Sequence, residues 1–217
     1  MFDRIAPRYD LLNRVLSFGR DVSWRRRTVA VAGLGAGERA LDVGAGTGDL
    51  ALALAKAGPS GRVIALDLAP EMLRRARTRA DASLGFVVGS AEALPFPDAL
   101  FSCVVAGFAV RNFGDLPRAL GDMRRVLRPG GRAVVLELSL PPSRRIRALH
   151  LFYLHRVAPV IATVLGSSAE AYRYLPASIE AFLDPERLAG AFREAGFQRV
   201  RYERLTFGVA TIHVGEA

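Results

Sequence analysis

The apolar positions of the chain change period several times, and each change marks an element. Leu41 and Val43 alternate at strand spacing in Arg39-Ala40-Leu41-Asp42-Val43 and lead into the turn Gly44-Ala45-Gly46-Thr47-Gly48. Asp49-Leu-Ala-Leu-Ala-Leu-Ala-Lys56 then reads as a helix that starts directly after that turn. A second strand, Arg62-Val-Ile-Ala-Leu66, ends at Asp67, and Pro70, a residue favoured at the first helical position, opens a helix expected to reach about Ala82. Leu84 to Val88 and Phe101 to Phe108 read as the third and fourth strands, separated by a proline-punctuated loop from Gly89 to Asp98. A helix from Asp115 to Leu127, a Pro129-Gly130-Gly131 turn and a fifth strand from Arg132 to Leu138 follow. Asp184-Pro185-Glu186 caps a helix running to Ala195, and Phe197 to Thr206 with Val209 to Val214 pair as a hairpin through Gly208.

Strands alternating with helices predict an α/β fold, a doubly wound, Rossmann-like sheet of seven strands, mostly parallel and closed by an antiparallel C-terminal hairpin. The 217 residues, 51% of them hydrophobic, suffice for one such domain spanning 1–217. Two helical stretches remain outside the sheet. In residues 1–32, Phe2, Ile5, Tyr9, Leu12 and Leu16 recur at helical spacing, and a second helix around Val22 to Val31 sets Arg25, Arg26 and Arg27 beside Trp24. That basic and aromatic face is suited to a membrane interface. Residues 141–183 form a long helical insertion, expected to cover a substrate.

Charge narrows the range of partners. The formal net charge is +9, carried almost wholly by arginine since Lys56 is the only lysine, and it draws the surface toward phosphate groups of lipid or nucleic acid. Cys103, the sole cysteine, falls in an apolar strand and by itself forms neither a disulfide within the chain nor a metal site. With no signal-peptide pattern and no unbroken apolar run of about 18 residues, a soluble cytoplasmic protein is expected. The sequence leaves the oligomeric state open, a homo-oligomer included.

The chemistry gathers at the first turn. Alternate glycines bring the backbone close to a ligand, and Asp67, about 20 residues past the loop, is placed to bond ribose hydroxyls. Dinucleotide sites use G-x-G-x-x-G, with a pyrophosphate on the helix N-terminus. Here the spacing is G-x-G-x-G and Asp49 follows at once, so its carboxylate would repel a pyrophosphate. S-adenosylmethionine carries no phosphate, and its amino group suits acceptors around Asp42, which makes a methyltransferase the expected class. Ser90 and the backbone of Ala91, after strand three, are placed to hold adenine. An Asn-Pro-Pro-aromatic motif for amine methylation is absent and Cys103 reads as buried, which argues against a nucleic-acid substrate. A binding module that keeps the fold without catalysis remains a separate reading.

Phe2-Asp3-x-Ile5-Ala6-x-x-Tyr9-Asp10-x-Leu12-Asn13-x-x-Leu16-Ser17-Phe18-Gly19 and Phe108-Ala-Val-Arg111-Asn112-Phe113 resemble two signatures of the quinone-ring C-methyltransferases of menaquinone and ubiquinone biosynthesis. Leu94-Pro-Phe-Pro-Asp98, Arg125 to Gly131, Leu136-Glu137-Leu-Ser139 and Tyr172-x-Tyr174-Leu-x-x-Ser178 are similar to further blocks, so the resemblance covers nearly the whole chain. Ser90, Ser102 and Gly107 depart from the usual pattern. The resemblance implies a class I methyltransferase fold and C-methylation of demethylmenaquinol, with a benzoquinol or both as the alternative. It implies S-adenosylmethionine held by Asp42, Gly44, Gly46, Thr47, Gly48, Asp67, Ser90, Ala91 and Gly107, and no metal. The partner it implies is a polyprenylated quinol, to which the net charge and the segment 24–27 add an anionic membrane surface. Arg111 is expected to stabilise a developing phenolate or orient a water, Asn112 to hold the quinol oxygen, and Tyr172 to act from the cover, with His150 and His155 as other bases.

Overall fold

The computed structural model describes residues 14–58, 61–80, 84–164 and 169–217, with the side chains of 169–174 excepted. The helix expected over Phe2 to Leu12 lies outside the described residues. In chain order the elements are α1 (Arg20–Ala32), β1 (Arg39–Val43), α2 (Asp49–Ala57), β2 (Arg62–Asp67), α3 (Pro70–Arg79), β3 (Leu84–Val88) and β4 (Phe101–Gly107). A 3₁₀ turn (Val110–Asn112), α4 (Leu116–Arg125) and β5 (Leu127–Leu138) come next. The helical insertion consists of α5 (Arg144–Phe152), a π-helical turn (Tyr153–Val157), α6 (Ala158–Val164) and α7 (Ala169–Ala181), and α8 (Pro185–Glu194), β6 (Gln198–Leu205) and β7 (Ala210–Glu216) complete the fold.

The sheet order is β3-β2-β1-β4-β5-β7-β6, with β1 through β5 parallel and β7 antiparallel to both its neighbours. This is the seven-stranded, doubly wound sheet the periodicity predicts. Strand alternation sends side chains to two cores. Leu41, Val43, Val104 and Val135 pack with Leu120 and Met123 of α4 and Leu188 and Phe192 of α8. Ala40, Cys103, Val105, Val134 and Leu136 pack on the other face with Trp24 of α1 and Leu50 and Leu54 of α2. The order reverses between β1 and β4, and the crevice beyond the carboxyl ends of strands at such a reversal is where ligands bind in open α/β sheets.

Two boundaries differ from the sequence reading. The helix after Pro70 stops at Arg79, and β5 begins at Leu127 rather than Arg132, so Pro129-Gly130-Gly131 lies inside the strand. The Phe101↔Leu127 pairing is followed by a register shift before Cys103↔Arg132, and Gly130 adopts φ +75°. A glycine-rich run that looks like a turn thus absorbs a bulge.

The N-terminal helix also turns a different face than expected. Trp24 is only 5% exposed, packs its ring 6.2 Å from Phe108 and donates its indole N–H to Thr206 Oγ1 at 2.9 Å. Arg27 pairs with Glu203 at 2.9 Å, and Arg25 points inward, which leaves Arg26 as the exposed arginine of the three without a partner among the described residues. The interfacial face expected from Trp24, Arg25, Arg26 and Arg27 is therefore not built, because Trp24 packs α1 against the sheet and Arg25 turns inward to Asp21 and the Phe108 ring.

Candidate functional site

Local sequence fixes the corner after β1. Gly44 adopts φ +69°, and a Cβ there would lie 2.5 Å from Ala109 Cβ, so β1 can meet the end of β4 only with glycine at this position. The amides of Gly44 and Ala45 donate to Leu66 O at 2.8 and 3.0 Å, folding the loop across the end of β2. Asp67 completes the fold: its Oδ2 accepts from Gly46 N at 2.7 Å and its Oδ1 from Ala69 N at 2.8 Å. Arg79 reaches back from α3 to Thr47 O at 3.1 Å and Asp49 Oδ1 at 2.6 Å, holding the turn against α2.

The resulting cleft brings together Asp42, Gly44, Gly46, Thr47, Asp67, Ala91, Gly107 and Asn112, eight of the residues singled out from sequence. Three others stand elsewhere. Gly48, at φ +83°, is the N-cap of α2, where a Cβ would lie 2.9 Å from Ala76 Cβ, so it serves the contact with α3. Ser90 turns its hydroxyl into the carboxylate of Glu92, and Glu92 lines the cleft in its place. Arg111 does not line the cleft. Its Nη1 lies 2.5 Å from Glu137 Oε1 and 2.8 Å from Phe108 O, the two side chains being 6% and 1% exposed. Glu137 also accepts from the amides of Arg111 at 3.3 Å and Leu138 at 2.8 Å. The guanidinium expected to face a phenolate is thus half of a buried ion pair that fixes the 3₁₀ turn bearing Asn112. That turn packs against α7, the helix of Tyr172, whose side chain lies outside the described residues.

Charge in the cleft is unevenly satisfied. Asp42 is 1% exposed and neither carboxylate oxygen has a hydrogen-bond partner among the described residues. Burial is the main force lifting its pKa to about 7, and the nearby Asp67 charge adds to it. On the helical insertion, burial lowers the pKa of His150, whose Nε2 is without a partner among the described residues, while the exposed His155 contacts Glu180 at 2.6 Å. Cys103, buried and pushed up to about 12 by burial, is not a nucleophile. Among the described residues no cluster of His, Cys, Asp and Glu could hold a metal ion.

Sequence reasoning passed over Glu92, Phe108 and Arg25 as cleft residues, and used Asp49 only to argue against a pyrophosphate. Glu92 and Asp49 each adjoin a residue it did choose, while nothing in the local pattern aims Arg25 of α1 at the cleft.

Sheet order, glycine corner and acidic cleft define the methyltransferase type of α/β fold. A SAM-dependent methyltransferase of Thermotoga maritima shares it, with a TM-score of 0.70 at 19% identity over 99% of this chain and 97% of that one. The particular family follows from sequence: the model of the ubiE/COQ5 methyltransferase family matches residues 1–217, and the chain belongs to that family. It is 51% identical to demethylmenaquinone methyltransferase of Thermus thermophilus, over 100% of this chain and 99% of the relative. Its identity to the enzyme of the same name in Deinococcus radiodurans is 47%, over 100% and 90%.

Proposed function

We propose that the chain transfers a methyl group from S-adenosylmethionine to a ring carbon of demethylmenaquinol. The observation that carries this reading is the cleft itself, in which a glycine corner opens beside an orphaned buried carboxylate, within a chain half identical to demethylmenaquinone methyltransferases. The residues fit the cofactor. Asp42 offers an acceptor to an ammonium, Asp67 retains lone pairs for ribose hydroxyls beyond the two amides it already bonds, and Ala91 with Leu68 flanks the adenine end. When bound, S-adenosylmethionine supplies an electrophilic methyl on a sulfonium.

The remaining work falls to the chain. Asn112, in the cleft, holds a quinol oxygen. Arg111 acts as a positioning residue, since its pair with Glu137 fixes the turn that presents Asn112 and Phe113. A ring carbon is a weak nucleophile until the quinol hydroxyl ionises, and a phenol with a pKa near 10 needs that proton removed or its anion stabilised. Alignment of methyl and ring carbon with water excluded by the cover provides much of the rate.

The prenyl tail places the reaction at a lipid surface, and the cover carries the matching face. Leu149, Phe152 and Val164 are 70%, 60% and 80% exposed, alongside Arg144, Arg145, Arg147 and Arg156. No carboxylate interrupts 144–164. No helix of the described residues is long and apolar enough to cross a membrane, so this face would lie on a bilayer rather than span it. The protein then works from the cytoplasmic side of the cell membrane.

The test supplies isotopically labelled S-adenosylmethionine with demethylmenaquinol, and with a benzoquinol in parallel, and locates the label by mass spectrometry. Label on the naphthoquinol ring is expected; label on neither quinol would overturn the reading.

A further inference from the structure

Among the described residues the cleft is lined by four acidic side chains, Asp42, Asp49, Asp67 and Glu92, and by a single basic one, Arg25. At neutral pH S-adenosylmethionine carries two cationic groups, the sulfonium and the ammonium, and one carboxylate. The acids suit the cations and repel the carboxylate, which is matched by Arg25, the one cation that lines the cleft among the described residues. We propose that Arg25 binds the α-carboxylate of the cofactor's methionine portion. This rests on the reading of S-adenosylmethionine as cofactor.

Three contacts aim the guanidinium at that task. Asp21, 3% exposed, accepts from Arg25 Nη1 at 2.5 Å from one turn earlier on α1. Asp21 is in turn fixed by the hydroxyl of Ser17 at 2.9 Å. The Arg25 Cζ sits 5.4 Å from the centroid of the Phe108 ring, which itself lines the cleft at φ +59°. Arg25 Nη2 lies 3.9 Å from Asp49 Oδ2, inside the range of attraction but beyond a hydrogen bond. Among the described residues Asp21 is the one hydrogen-bond acceptor Arg25 has, out of the five N–H donors a guanidinium offers. An edge of the fork is thus available in the cleft, held from behind by a buried acid and from the side by an aromatic face. Arginine meets carboxylate by two parallel hydrogen bonds, and such a pair is stronger than a neutral one. The inference makes α1 part of the cofactor site and gives Asp21 and Ser17 positioning roles through Arg25.

Calorimetry of S-adenosylmethionine against its decarboxylated analogue isolates the contact, since the two ligands differ only in the group Arg25 is assigned to hold. The parent is expected to prefer the carboxylated ligand. In the double variant Arg25→Gln with Asp21→Asn, which leaves no buried acid stranded, affinity for S-adenosylmethionine should fall about thirtyfold while that for the decarboxylated analogue stays within about twofold. Arg25→Lys, which keeps the charge and loses the fork, should show a smaller loss confined to S-adenosylmethionine, and it serves as the reading if the double variant does not fold. Equal losses for both ligands, or no loss for either, would overturn the assignment of Arg25 and leave the cofactor standing. A parent protein that binds neither ligand would overturn both.

Discussion

Asp42 and Glu137 are buried acids near the carboxyl ends of two strands of one sheet, and their surroundings are opposite. Glu137 is saturated by the Arg111 guanidinium and by two backbone amides. Among the described residues neither Asp42 oxygen has a partner at hydrogen-bond geometry, and burial lifts its pKa to about 7 against a weaker pull from the Ala51 amide. A buried carboxylate without a partner costs stability, so its presence marks a place where stability is given up for a ligand, whereas the satisfied one marks scaffold. On the proposed function, the difference separates the corner assigned to the cofactor from the corner that fixes the turn assigned to the substrate.

That contrast is broken most severely at Glu137. Glu137→Ala leaves Arg111 charged and buried, and urea unfolding should show a loss of about 3 to 5 kcal/mol. Asp42→Asn should not destabilise the free protein, and a loss comparable to that of Glu137→Ala would erase the distinction.

Arg111→Lys comes next. It keeps the charge opposite Glu137 but loses the planar group that reaches both Glu137 and Phe108 O, so the turn carrying Asn112 loosens. Steady-state kinetics should show kcat down about a hundredfold, about 2.7 kcal/mol, with cofactor affinity within about threefold of the parent. Parallel loss of folding and cofactor binding would make Arg111 scaffold and nothing more. A smaller effect belongs to Asp67→Ala, which removes acceptors for Gly46 N and Ala69 N together with those left for ribose. Calorimetry should report S-adenosylmethionine binding weaker by more than about tenfold.

The smallest expected effect is a pH dependence, and its sign follows from Asp42. The folded state keeps the proton between about pH 4 and 7, where the unfolded chain has lost it. Stability of the free protein therefore declines as pH rises through that window. Asp42→Asn should flatten this part of the profile in thermal melts recorded from pH 5 to 8.

The sheet was legible in the chain because strand and helix periods differ and because Gly44, Gly46 and Asp67 sit at the ends of runs whose direction is unambiguous. Contacts between distant residues were not. Trp24 reads as interfacial until Thr206, 182 positions away, takes its N–H. Arg111 reads as a catalytic cation until Glu137, 26 positions on in an apolar strand, faces it. Helical spacing gives the faces of α1 but not which one meets the sheet, and Arg25 was assigned to a membrane-facing surface for that reason. Local pattern likewise put a turn at Pro129-Gly130-Gly131, where β4 instead draws the chain into a bulged strand.

The claim that Asp42 is held in reserve for a cationic group is tested most directly by counting protons. Calorimetric titration of S-adenosylmethionine at pH 6, in buffers of different ionisation enthalpy, reports how many protons leave on binding. Asp42 is mostly protonated there and must ionise to meet an ammonium, so the parent should release about one proton and Asp42→Asn none. Binding by the parent with no proton released, or the same release from both proteins, would contradict the assignment of Asp42 as the cofactor's acceptor.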